Sequence, residues 1–278
     1  MNMKLEHKEA FEVIGFSAHI KPEEGYVKCP EFWEKEFRQR YSRLWETKQP
    51  QTPQEQAVWD NGIGRLALCI EGENGFEYMI AGVYRGGNVP EGMKLFSFPE
   101  SDWAVFSAQG PLPASLQQLN TQVWQSWYPN DGQNYLPNGT ATVEYYSAGD
   151  PASADYECGM WIPVQRNMVA YCGLDCAKCD AYIATVNQDN ALREKTAKLW
   201  AEANAAPITA EMINCLGCRG EGVKTPYCDF MCEIRKCALE KGPGSCAHCA
   251  GMAGCETLKP VLDNSEEARK NLQKLNRA

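Results

Sequence analysis

The 278-residue sequence has only three histidines and no apolar run that approaches a membrane span, and its 27 basic side chains are outnumbered by 36 acidic ones. A transmembrane helix needs roughly 18 or more consecutive apolar residues, so no span is expected. The formal net charge of -9 and the pI near 5.0 argue against a polyanionic partner. Phosphate backbones are held by clustered Lys and Arg, and no long basic run is present; nucleic acid is therefore not expected as a partner. The opening residues Met1 to Ala10 carry charges of both signs and no apolar core, so they do not read as a signal peptide, and the expected address is the cytoplasm. The scarcity of histidine also leaves no Ser–His–Asp arrangement. His7 lies outside any motif, and His19 closes a predicted strand.

What is present in excess is cysteine. With 44% hydrophobic and 23% charged residues the chain is an ordinary globular protein, long enough for two domains. Its 14 cysteines, however, are unevenly placed. Cys29, Cys69 and Cys158 are scattered, whereas the other eleven lie between Cys172 and Cys255. In a chain without an export signal, that density reads as thiolate ligation of metal rather than as a disulfide scaffold. Composition therefore divides the chain just after Val164, into residues 1–165 and 166–278.

The first part reads as one unit written twice. Phe11 to Ile20 has the β-branched and aromatic content of a strand. Cys29-Pro30 introduces a helix, with Trp33, Phe37, Tyr41, Leu44 and Trp45 on one face. Gln49 to Gln54, with two prolines, reads as a loop. A hairpin follows, from Arg65 to Ile70 and from Phe76 to Tyr84, around an Asn74-Gly75 turn. The order then recurs as a strand at Trp103 to Ala108, a helix with a Leu116, Leu119, Val123, Trp127 stripe, and strands at Thr140 to Ser147 and Tyr156 to Val164. Two βαββ repeats predict an α+β domain with helices on one face of the sheet.

Alternation along strands predicts which side chains share a face. Val143 and Tyr145 are expected on the helix-packed face with Cys158, Met160 and Ile162, and Leu66, Leu68 and Ile70 are expected in the core. Tyr78, Glu144, Tyr146, Glu157 and Trp161 are then expected on an uncovered face. An aromatic surface with partly desolvated carboxylates suits flat, apolar, often cationic ligands. The same residue types also serve plain sheet packing.

Several dispersed motifs sharpen this reading. They are Glu77 to Tyr84, Val89 to Met93, Trp103-Ala-Val-Phe106, Trp124-Gln-Ser-Trp127-Tyr-Pro129, Val143-Glu-Tyr-Tyr146 and Met160-Trp-Ile-Pro-Val164. In this order they resemble the GyrI-like, or AraC-type, effector-binding domain over about residues 3 to 165. The resemblance implies tandem βαββ modules forming a ligand cleft, and binding of hydrophobic or cationic drug-like compounds. Candidate ligand contacts are Tyr78, Glu144, Tyr146, Glu157, Trp161, Trp103 and Trp127. Relatives commonly carry an acid four positions before the proline of the closing Ile-Pro pair; here that position is Gly159, and Glu157 is the nearest acid on its face. No helix-turn-helix precedes the domain in this sequence, so a DNA-binding domain of its own is not expected.

The second part reads as a small, mainly helical or irregular, cysteine-rich metal-binding domain with a C-terminal helix. Candidate ligands are Cys172, Cys176, Cys179, Cys215, Cys218, Cys228, Cys232, Cys237, Cys246, His248, Cys249 and Cys255. The C-x-x-C pairs Cys215/Cys218 and Cys246/Cys249 have the spacing that lets two thiolates grip one metal. Eleven thiolates with His248 would furnish three tetrahedral zinc sites; an iron–sulfur cluster is the alternative. The spacing Cys172-x₃-Cys176-x₂-Cys179 matches a radical-SAM cluster, but the hundred or so remaining residues are too few for that barrel. Tyr171 to Cys176, Cys179 to Ala184, Cys232 to Cys237 and Cys246 to Leu258 resemble an uncharacterised prokaryotic cysteine-rich family over about residues 170 to 260. Residues 264–275 read as a capped, exposed helix.

The expected function is binding or sensing of a small molecule, with the cysteine domain as a structural or partner-docking module. The alternative is a hydrolase in which Glu157 or Glu144 activates water.

Overall fold

The computed structural model describes residues 3–129, 131–242 and 244–275. It separates into two compact units, Met1–Ser126 with Pro137–Gln165 and Trp127–Leu136 with Arg166–Ala278. Among the described residues no helix is long and apolar enough to cross a membrane.

The first unit is built on strands β1 (Met3–Lys8), β2 (Phe11–Ile20), β3 (Leu66–Gly72), β4 (Gly75–Val83), β5 (Lys94–Phe98) and β6 (Ser101–Gln109). Strands β8 (Ala141–Tyr146) and β9 (Glu157–Arg166) complete the set, and two of the three residues of the short β7 (Tyr135–Pro137) belong to the second unit. The sheet runs β1-β6-β9-β8-β3-β4-β2-β5, with β7 off this path. The order carries the repeat. The trio β6-β9-β8 is one module, β3-β4-β2 is the other, and they meet antiparallel at β8 and β3. At the β3–β4 turn Asn74 adopts a left-handed conformation (φ 60°), which asparagine tolerates better than most residues.

Each module sends a helical segment across the sheet. In the first, α1 (Gly25–Phe32) runs on through a wider turn at Trp33–Gln39 into α2 (Ser42–Thr47). Phe37, Tyr41 and Leu44 are buried, and Phe16 of β2 packs against Phe32, Phe37 and Tyr41. In the second module, α4 (Ala114–Gln122) buries Leu116 and Leu119. One expected loop is partly helix. Pro53, taken as a breaker, opens α3 (Pro53–Asn61), where a missing N–H costs nothing. Thr52 and Glu55 form a reciprocal capping box at its start.

The expectation of an uncovered face is also corrected. Trp103 of β6 lies 5.8 Å from Phe11 of β2 and 5.1 Å from Phe98 of β5, although these strands are far apart along the sheet path. The sheet therefore curls until its inner face closes on itself. Leu66, Leu68, Met79, Trp103, Val105 and Val143 fill that inner core. The helices cover the other face.

The second unit contains α5 (Asp180–Val186), α6 (Asn190–Asn204), α7 (Glu233–Lys241), α8 (Lys259–Asn264) and α9 (Glu266–Leu275), linked by short turns. Its buried clusters are small and rich in cysteine. One centres on Cys172, Leu258 and Leu272, with Cys176, Cys218, Cys246 and Cys255 against it. The other pairs Cys215 and Cys179 with Ala181, Ala197 and Ile213. The C-terminal helix is not simply exposed, because Ala268 and Leu272 on one of its faces are fully buried.

The curl requires close approach of β2 and β4 at Gly15. A Cβ there would sit 2.0 Å from the Ile80 carbonyl oxygen, which is backbone and cannot turn aside. Gly15→Ala is expected to cost about 1–3 kcal/mol through overpacking, read as a lowered midpoint in chemical denaturation, while Gly25→Ala, whose Cβ meets only the Phe76 ring at 3.4 Å, stays milder.

Candidate functional site

Where the two modules meet, the helix-covered face of the sheet holds an acid among aromatics. Glu144 on β8 stands opposite Ala67 on β3 and Met160 on β9. Tyr78 on β4 stands opposite Cys69, and Tyr146 opposite Cys158. The small neighbours Ala67 and Cys69 leave room above the sheet, and the helices roof it. The result is a cavity of about 750 Å³ whose wall includes Cys29, Trp33, Trp59, Tyr78, Glu144 and Tyr146.

Tyr78 and Tyr146 each donate their hydroxyl to Glu144 Oε2, at 2.6 and 2.7 Å. Trp33 Nε1 donates to the Tyr78 hydroxyl at 2.8 Å, which aims the Tyr78 proton at the carboxylate. Tyr78 is 1% exposed and Tyr146 7%. Glu144 retains some surface, but that surface is cavity wall. Among the described residues, Oε1 accepts no hydrogen bond and no Lys or Arg pairs with the group. Burial raises the Glu144 pKa above its ordinary value, against the opposing pull of the two phenolic hydrogen bonds. Burial first, then the Glu144 charge, pushes both tyrosines well above their usual range. Burial and the same charge push the Cys29 thiol up to about 12, so it is protonated at neutral pH.

The sequence-derived contacts divide on this geometry. Tyr78, Glu144 and Tyr146 come together. Trp161 pairs with Val143, not with Glu144, and so projects to the inner face. It stacks on Tyr145 at 5.5 Å with Lys8 Nζ 4.3 Å over its ring. Two expectations about the faces fail together: Val143 and Tyr145, expected under the helices, face the inner core, and the parity of β9 against β8 is reversed, so that Cys158 and Met160 lie with Tyr146 and Glu144 under the helices. Glu157 is exposed, accepts a hydrogen bond from Gln109 and does not line the cavity. Trp103 is sealed in the inner core, and Trp127 stacks on Tyr135 at 6.3 Å. Cys29, Trp33 and Trp59 were not among the predicted contacts. The helical stripe containing Trp33 was legible, but not that this tryptophan reaches a tyrosine hydroxyl.

In the second unit, none of the eleven cysteines is in a disulfide. Among the described residues no three His, Cys, Asp or Glu side chains converge on a point as metal ligands would. Burial pushes Cys176 up to about 12 and Cys218 to about 11, while backbone N–H groups aimed at the sulfurs pull back: Cys218 N–H to Cys176, and Tyr171 N–H to Cys218. Burial likewise raises Cys172, against the N–H of Leu174. Gly217 N–H donates to Cys215 Sγ at 3.4 Å. N–H donors on sulfur favour the thiolate that a metal takes. Cys228, Cys232, Cys237, Cys249 and Cys255 are half-buried. His248 is exposed, with Nε2 3.0 Å from the Leu275 carbonyl oxygen.

The model for integron-associated effector binding proteins matches residues 4–164. A second model, described as a protein of unknown function (DUF3795), matches residues 168–260. No curated protein matches the chain. Among solved structures, SAV2435 bound to tetraphenylphosphonium is 22% identical, with a TM-score of 0.47 over 59% of this chain and 94% of that one. The integron cassette protein VCH_CASS2 from the mobile metagenome of Vibrio cholerae is 19% identical, with a TM-score of 0.40 over 59% and 95%. A hydrolase from Listeria innocua is 9% identical, with a TM-score of 0.33 over 59% and 91%.

The raised pKa of Glu144 has a consequence for stability. The folded chain binds this proton more tightly than the unfolded chain, so the group's contribution is fully present below about pH 4.5 and is lost as pH rises through the raised value. Glu144→Gln removes that loss. At pH 7–8 the variant is expected to melt above wild type, by about 2–4 °C per kcal/mol relieved, and the two melting curves should converge in acid.

Proposed function

The chain belongs to the integron-associated effector binding protein family, and from that premise we propose that its cavity binds flat, hydrophobic, cationic small molecules. The observation that carries this reading is Glu144. A carboxylate withdrawn from water and held by two neutral hydroxyls lacks a counter-charge, and a cation entering the cavity supplies it. The aromatic walls offer stacking and cation–π contact to the same ligand, and the cavity volume is that of a drug-sized site. Tyr78 and Tyr146, fixed through Trp33, hold Oε2 and leave Oε1 toward the ligand. A wall thiol as nucleophile is less well supported, since Cys29 and Cys69 are held protonated.

The test is a fluorescence titration with rhodamine 6G, a flat monocation. Glu144→Gln is expected to weaken binding by tenfold or more, about 1.4 kcal/mol, while Glu157→Gln leaves it unchanged. Affinity should also fall as pH is lowered through a range above that of ordinary carboxylates, in which Glu144 takes up its proton. Equal affinity of wild type and Glu144→Gln would sink the proposal. Turnover of an esterified dye, lost in Glu144→Gln with affinity kept, would move hydrolysis ahead of binding.

We further infer that the cysteine-rich unit is a structural metal module, with zinc as the favoured ion. Eleven cysteines, none in a disulfide, two C-x-x-C pairs and the Gly217 N–H on Cys215 Sγ support it. Bound zinc would supply cross-links between turns whose own apolar cores are small. Elemental analysis of protein purified without oxygen should find about two to three zinc ions per chain. Iron with inorganic sulfide and visible absorbance would replace zinc by a cluster, and a metal-free, fully folded chain would end the reading.

A further inference from the structure

The carboxylates and guanidiniums that line the cavity of the first unit are those of Glu34, Arg38, Arg65 and Glu144. Glu34 and Arg38, four residues apart on one helical segment, stand 3.8 Å from each other and form a pair. Glu144 has no cation against it. Arg65 has no acid: among the described residues its guanidinium makes neither an ion pair nor a hydrogen bond. The cavity wall therefore carries two unanswered charges of opposite sign.

The backbone places both on the same side of the sheet. Arg65 leaves the turn after α3, where its N–H donates to the Gly62 carbonyl at 3.1 Å. Its own carbonyl accepts the Tyr146 N–H at 2.9 Å, which carries the β3–β8 ladder one residue beyond Leu66. Arg65 thus stands opposite Tyr146, as Ala67 stands opposite Glu144. Leu66 and Leu68 fill the inner core, so Arg65, Ala67 and Cys69 share the helix-covered face by alternation. Arg65 and Glu144 are then diagonal neighbours, roughly 7–8 Å apart along the floor of the cavity. Tyr146, next to both, gives its hydroxyl to Glu144 Oε2, and the guanidinium stays exposed.

Opposite charges held apart make the wall dipolar and nearly neutral in sum. A plain cation drawn to Glu144 meets repulsion from Arg65 one step along the strand. A ligand that carries an anion beside its cation meets two attractions instead. The guanidinium keeps its charge at any ordinary pH, and its planar fork of N–H donors matches a carboxylate with two parallel hydrogen bonds.

Resting on the reading of this cavity as a cation site, we propose that its ligand is a flat aromatic zwitterion. The cationic part lies against Glu144 Oε1, between the aromatic walls, and a carboxylate on the same molecule is received by Arg65. Arg65 is thus the residue that sets specificity among cations, favouring those of zero net charge.

The test compares rhodamine 6G, an ester and so a plain monocation, with rhodamine 19, the same xanthene cation bearing a free carboxylate. Calorimetric titration of the full chain at neutral pH gives both affinities, and the ratio of acid to ester is compared between variants so that the ethyl group cancels. Arg65→Met is expected to weaken rhodamine 19 about fivefold, while rhodamine 6G binds as tightly as to wild type or more so. Arg40→Met removes an arginine that pairs with Glu36 and does not line the cavity, and it should leave the ratio unmoved. Should Arg65→Met fail to fold, Arg65→Gln is read in the same way. An unchanged ratio in the Arg65 variant overturns the zwitterion assignment and leaves cation binding at Glu144 standing. Wild type that binds neither dye, or binds both with no loss in Glu144→Gln, removes the cavity reading and this inference with it.

Discussion

The first unit is organised around a carboxylate taken out of bulk water and stabilised by hydroxyls alone. Glu144 is too costly to bury without hydrogen bonds, and both that it receives fall on one oxygen. Each element of the cavity follows from satisfying that oxygen while leaving the other open. β4 supplies Tyr78, β8 supplies Tyr146 beside the acid itself, and the turn after α1 supplies Trp33 to fix the direction of the Tyr78 hydroxyl. Were a lysine or arginine placed against Glu144, the local energy would fall and the site would lose its appetite for a cation. The absence of such a partner among the described residues is what would give the cavity a preference for cations.

The sheet makes this arrangement possible by settling which side each residue faces. Antiparallel pairing of β3 with β8 joins the modules and puts Ala67 and Cys69 beneath the space that the ligand needs. Curling of the sheet disposes of the opposite face. Trp103, Phe11 and Phe98 meet across it, so its large aromatics are structural mass and unavailable to a ligand. Two populations of aromatic residues thus coexist on one sheet with different work, separated only by strand parity.

That separation explains how much could be read beforehand. The repeat, the helical stripes at Phe37, Tyr41 and Leu44, and the Asn74-Gly75 hairpin are local signals, and they survive in the fold. Tyr78, Glu144 and Tyr146 could be grouped because β4 and β8 each alternate cleanly. Trp161 could not be placed, since alternation within β9 says nothing about its register against β8, and a shift of one residue exchanges the faces. Curvature is likewise non-local: nothing within β6 announces that Trp103 will meet a strand at the far end of the sheet. Pro53 misled for another reason. A proline one residue after a capping threonine opens a helix as readily as it ends one, and Glu55, three residues beyond Thr52, was the available cue. In the cysteine-rich unit the density of thiols was plain, but Arg219 was one basic residue among 27, distinguished only once its surroundings are known.

Each unit, taken by itself, places one charge in its interior without an opposite charge from the protein. In the first the charge is negative, lies in the wall of a large cavity and keeps an accessible oxygen. In the second it is positive: the half-buried Arg219 guanidinium donates to the Val169 and Gly244 carbonyls, lies over the Tyr171 ring and keeps Nη2 buried without a partner among the described residues. The difference in access points to a difference in use. An acid facing open volume suits an exchangeable ligand, because the compensating charge can arrive and leave by diffusion. An arginine cannot give up its charge at ordinary pH, so its partial burial is offset only by the dipoles that face it, here two carbonyls and the Tyr171 ring, and that requirement ties Val169, Tyr171 and Gly244 to one arrangement around Arg219.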